Sequence, residues 1–166
     1  MNESEKKEIT ERLSARISTG LYFIEFNYLD RHEKPDPAWI RNIYILLSFY
    51  TELLFKQIFI LTKDFENVND LDNKLKKLGH DLELICQEIG QPELEKLGIE
   101  EILFTNMEYL IKTKSGDFYV KNFNDIRYDF LDGRIRKLNG NEHIMFKQQI
   151  EIMLNINNLL KPLAWR

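Results

Sequence analysis

The chain has 166 residues, of which 43% are hydrophobic and 12% aromatic. That is enough apolar material for one sizeable core, so disorder is not the default and the length fits a single domain over 1–166. Lys and Arg number 23 against 27 Asp and Glu, a net charge of -4, so composition gives no global attraction to nucleic acid or to an acidic membrane and leaves only local basic patches. Cys86 is the only cysteine, which excludes an intramolecular disulfide, and the opening Met-Asn-Glu-Ser-Glu-Lys-Lys lacks the apolar stretch of a signal peptide, so a cytoplasmic setting is expected.

Along the chain, Ile9, Leu13, Ile17, Leu21, Ile24 and Tyr28 recur at three and four residues, which predicts a long first helix ending near Asp30 to Lys34. Asp36-Pro37 marks the next helix start, with Asp as N-cap and Pro at the first helical position, where its missing N–H is harmless. That helix should reach about Lys63. It contains the longest apolar run, Ile43 to Leu61, nearly long enough to span a membrane but carrying Glu52, Lys56 and Gln57, which are expensive in lipid. It therefore reads as a core helix, and no membrane partner is expected. At the helical period Arg41, Ser48, Glu52, Lys56 and Lys63 fall within roughly 80° of one another, a polar stripe on an otherwise apolar surface.

Leu75, Leu78, Leu82, Ile85 and Ile89 predict helical structure interrupted at Gly79 and stopped at Gly90. Pro92 to Ile111 read as helix with a break around Gly98, and Ser115-Gly116-Asp117 as a turn. Ile126 to Leu131 and Arg134 to Leu138 flank Asp132-Gly133, a pair suited to a tight hairpin, so short strands and a bent helix both fit. A last helix is expected from near Asn141 to Pro162, with Met145, Ile152, Ile156, Leu159 and Leu163 on one face. The fold class that follows is all-α, an up-and-down helical bundle with room for a small β-hairpin near residues 126–138.

Four polar groups stand out as site candidates. Glu52 and Lys56 are four apart with the acid N-terminal, the better order for a helical ion pair, either solvent-facing or lining a groove between helices. His80 and Asp81 follow the Gly79 break, where capping is the plain role and ligand contact the functional one. Arg127 and Tyr128 combine a guanidinium suited to forked phosphate contacts with a ring that stacks on a base. Arg134, Arg136 and Lys137 form a basic cluster in a turn region, a solvated loop or a phosphate contact. His32, Glu33 and Asp36 make a weak metal set with no second cluster, and no glycine loop cradles a phosphate, so no metal or cofactor is expected. Cys86 lies in an apolar helical pattern and reads as core packing.

Taken in order, Glu52-Leu53-Leu54-Phe55-Lys56 on a long helix, Gly79-His80-Asp81-Leu82 opening the next, and Ile126-Arg127-Tyr128 further on resemble the HEPN family of small helical nucleotide-binding domains. The match covers roughly the middle half of the chain, and the terminal helices agree only in type. The resemblance implies a homodimer and either ribonuclease activity or a non-catalytic role beside nucleotidyltransferases and defence systems. It implies Glu52, Lys56, His80, Asp81, Arg127 and Tyr128 as the ligand-binding set. The family's ribonucleases carry Arg, four to six residues, then His; Arg127 has no such His, whereas Arg136 and His143 have the spacing. Asn139-Gly140-Asn141 between them is a turn signal and argues against one shared helix. The leading expectation is thus a non-catalytic module for a nucleotide, RNA or protein partner. The alternatives are a metal-independent endoribonuclease using Arg136 and His143, and a structural adaptor docking through Met145, Ile152, Ile156 and Leu159.

Overall fold

The computed structural model describes residues 1–29, 37–105, 108–121 and 142–161. Helix α1, Glu3–Ile24, opens on a reciprocal cap. Asn2 Oδ1 accepts from Glu5 N–H at 2.8 Å and Glu5 Oε2 accepts from Asn2 N–H at 2.9 Å, so two otherwise orphaned donors are satisfied. The helix runs on into a π-helical turn, Glu25–Leu29. Its apolar stripe of Ile17, Leu21 and Ile24 is fully buried against α2, Pro37–Thr62, the longest helix. Gly20 sits where the Tyr50 ring of α2 crosses α1, a space that leaves no room for a Cβ.

The expected extent of α2 is observed, with Pro37 as its first residue; the proposed Asp36 cap lies outside the described residues. Among the described residues it is the one helix long and apolar enough to cross a membrane, and α1, the segments Leu82–Ile89 and Gly116–Lys121 and the last helix all pack on it. The breaks at Gly79 and Gly90 also fall where the sequence puts them. Helix α3, Val68–Leu78, ends at Gly79, whose φ of 56° is a left-handed value that glycine adopts without steric cost. Helix α4, Leu82–Ile89, follows and buries Leu82, Ile85, Cys86 and Ile89. Cys86 is core, as its apolar setting suggests.

Beyond α5, Gln91–Lys96, the chain departs from the helix expected to Ile111. It forms a three-stranded antiparallel sheet: β1, Ile99–Thr105; β2, Glu108–Thr113; and β3, Gly116–Lys121, in the order β1-β2-β3. The physical reason is the side-chain period. Tyr109, Ile111 and Thr113 are buried at every second residue, as are Phe118 and Val120 opposite them, which is the repeat of a half-buried strand and not of a helix. Leu103, Leu110 and Tyr119 align across the outer face. Lys114-Ser115 makes the turn that joins β2 to β3, at the start of the Ser115-Gly116-Asp117 turn expected there, and Gly116 and Asp117 already belong to β3.

The last helix, α6, spans Glu142–Leu160. Its buried face is Phe146, Gln149, Ile150, Ile152, Met153, Ile156, Asn157 and Leu160, whereas Met145 and Leu159 are exposed. The single stripe of Met145, Ile152, Ile156 and Leu159 is therefore split: Ile152 and Ile156 belong to the core, which removes them from any docking surface of an adaptor. Among the described residues the fold is mostly helical with one small sheet, and the hairpin considered near 126–138 lies outside them.

Candidate functional site

Two elements build the site. Glu52 projects from the middle of α2, and Lys56 follows one turn later on the same face. His80 comes from the short link between α3 and α4, where Gly79 turns the chain back and Asp81 restarts the helix. Asp81 Oδ1 accepts from Leu84 N–H at 3.0 Å and so caps α4; this is the capping role weighed for it, and it does not join the other three.

The Glu52 side chain is only 5% exposed, so its charge must be matched where it lies. Lys56 Nζ donates to Oε1 at 2.6 Å, and His80 Nδ1 stands 2.8 Å from Oε2 and 3.0 Å from Oε1. A carboxylate paired with a lysine is an acceptor, which makes Nδ1 the protonated ring nitrogen. Glu52 thus fixes the tautomer and the plane of the imidazole, the same office a buried carboxylate performs for histidine in many functional sites. Lys56 is 15% exposed and His80 43%, so exposure rises from a buried anion through a half-sheltered cation to a ring whose outer part faces solvent.

The polar stripe read from the sequence is accordingly a mostly sheltered one: Ser48 is buried with Glu52, and Arg41, Lys56 and Lys63 are half-buried. Arg127, Tyr128, Arg134, Arg136 and Lys137, the side chain of His143, and the set His32, Glu33 and Asp36 lie outside the described residues. Among the described residues no group of three His, Cys, Asp or Glu side chains is placed to hold a metal ion. The Cys86 thiol is buried, and burial, reinforced by the Asp81 and Glu83 carboxylates, pushes its pKa up, away from nucleophilic use.

A second polar set escaped the sequence reading. Gln57 of α2 and Asn157 of α6 are buried and turn their amide nitrogens onto carbonyls of α1: Gln57 Nε2 to Thr10 O at 3.4 Å, Asn157 Nδ2 to Ser14 O at 3.1 Å and to Ser18 Oγ at 2.8 Å. The available signal was Thr10, Ser14 and Ser18, small polar residues spaced by four beside the Ile17 stripe. Comparison with family models, with curated proteins and with solved structures found no match for this chain.

Proposed function

We propose that the chain is a HEPN-like, up-and-down helical binding module that works as a homodimer without catalysis and takes a nucleotide or a segment of RNA. The observation that supports this reading most directly is the shared carboxylate of Glu52, which holds Lys56 and His80 together across two elements. The imidazole, anchored on Glu52 through Nδ1, sets a partly exposed polar ring beside the lysine at the surface where a nucleotide would lie. The neighbouring lysine places positive charge where a phosphate would lie. Arg127 and Tyr128, given by the resemblance, would add the forked phosphate contact and the stacking ring.

The test is calorimetric titration of AMP and of a short single-stranded RNA into the wild type, His80→Ala and Arg127→Ala, with light scattering for the oligomeric state. Each substitution is expected to weaken binding at least tenfold. Equal binding by all three proteins would remove His80 and Arg127 from the site and this function with them.

A further inference from the structure

A second site lies on another side of α2. Gln57 is five residues beyond Glu52, about 140° further round the helix, and borders a cleft of about 500 Å³ between α1, α2 and the end of α6. That volume is in the range of small-molecule pockets, about 300–1,000 Å³.

The walls are lined by the small side chains of α1, among them Ser14, Ala15 and Ser18, with the Tyr22 ring at one side and Glu11 and Lys161 at the rim. Below them is an imbalance of hydrogen bonding. Ser14 is 6% exposed and Gln57 1%, yet among the described residues Ser14 Oγ and Gln57 Oε1 have no hydrogen-bond partner, and neither does the adjacent Asn157 Oδ1. The orientation of both amides is fixed chemically. Their nitrogens face backbone carbonyls of Thr10 and Ser14, which accept only, so the amide oxygens must be the ends left over. A buried polar atom without a partner is costly, and two of them in the lining of one cleft, with Asn157 Oδ1 behind them, call for a donor that enters from it.

The chemistry of that donor follows from what the cleft lacks. Both amide oxygens accept only, so a ligand that reaches Gln57 Oε1 must bring an N–H or O–H group, whereas the hydroxyls of Ser18, Thr19 and Tyr22 that an anion could use belong to less buried residues of the lining. The Lys161 ammonium at the rim donates to Asn158 Oδ1 at 2.7 Å, and the Glu11 carboxylate in the same lining balances its charge and adds a further acceptor. We infer that this cleft binds a small organic amine or amidine, its N–H groups directed at Gln57 and Ser14 and its apolar body against Ala15 and Tyr22.

The full-length protein would be titrated by calorimetry and followed by thermal melting with tryptamine, phenethylamine and benzamidine, and with the matched carboxylates 3-indolepropionate and 3-phenylpropionate. At least one amine or amidine should bind saturably with one site per chain and raise the melting temperature, and the carboxylates should not. Gln57→Leu, which keeps the volume and removes the oxygen, and Ala15→Trp, which fills the cleft from an exposed helix position, should each weaken that binding at least tenfold. If no amine or amidine saturates, if carboxylates bind as well, or if both variants bind like wild type, the assignment is overturned and the oxygens are served by water. Should Gln57→Leu fail to fold, Ala15→Trp decides alone. His80→Ala should leave amine binding unchanged, which keeps this test separate from that of the Glu52 site.

Discussion

Glu52 and His80, 28 positions apart in the chain, meet at 2.8 Å and share the carboxylate with Lys56. The consequence for stability is asymmetric. Glu52→Ala leaves the Lys56 ammonium sheltered without its partner, and removing one member of a buried pair costs about 3–5 kcal/mol; the residual exposure of Lys56 places the expected loss at the low end, about 3 kcal/mol. Glu52→Leu combined with Lys56→Met replaces the pair by apolar groups of similar size and should recover most of that loss. Urea unfolding of the three proteins checks it. A double variant as unstable as Glu52→Ala would show that the ion pair is not what the carboxylate contributes.

Asp70 links stability to acid. Its side chain accepts from Lys74 and from the backbone N–H of Glu66, and these two contacts, in that order, hold its carboxyl below the ordinary value of 3.8. As pH falls, the unfolded chain takes up this proton first. The contribution is therefore present above about 3.8 and disappears as pH drops through the lower folded value. Urea midpoints measured from about pH 6 down to about pH 3 should fall less steeply in Asp70→Asn than in wild type, from a lower starting point at neutral pH. Parallel curves would exclude Asp70 from the acid limb.

Cys86 should behave as an inert thiol. Its pKa is raised mainly by burial and further by the Asp81 and Glu83 carboxylates, so little thiolate exists at neutral pH, and the sulfur is shielded by α4 packing. A disulfide reagent such as DTNB, added near pH 8, should react with the native protein only as fast as the chain unfolds. The rate should then climb with urea in step with the unfolded fraction. Rapid labelling without denaturant would mean that α4 opens locally.

Much of the helical frame was legible because its signals are local. Pro37 opens α2 as expected, and Gly79 and Gly90 end α3 and α4 where they stand. Residues 99–111 were not, since Ile99, Ile102, Leu103, Leu110 and Ile111 satisfy a helical spacing as well as a strand. The decision lay in the alternation of Tyr109, Ile111 and Thr113 and in the pairing of β2 with both neighbours, a tertiary matter. The site divides in the same way. Glu52–Lys56 is an i, i+4 pair visible in any sequence, whereas the approach of His80 depends on how α4 packs against α2. The buried amides of Gln57 and Asn157 were hidden for a further reason: a hydrophobic-period reading of α1 passes over Thr10, Ser14 and Ser18, which are the residues those amides bind.

Gly20 supplies a test of packing against propensity. An alanine in the middle of α1 should stabilise the helix by about 1 kcal/mol over glycine. At this position, however, the added Cβ would occupy space already taken by the Tyr50 ring. Overpacking of this kind costs about 1–3 kcal/mol, and a retreat of the ring would disturb its edge-on packing with Phe49 at 5.3 Å. Gly20→Ala should therefore lower stability by about 1–2 kcal/mol despite the better helix former. Tyr50→Ala alone should also destabilise, by loss of packing. Combined, the two should be more stable than their sum predicts by at least about 1 kcal/mol, because the alanine methyl then enters space the ring has left. A double-mutant cycle by urea unfolding measures that coupling. Strict additivity would mean that the close approach of Tyr50 is not what selects glycine at position 20.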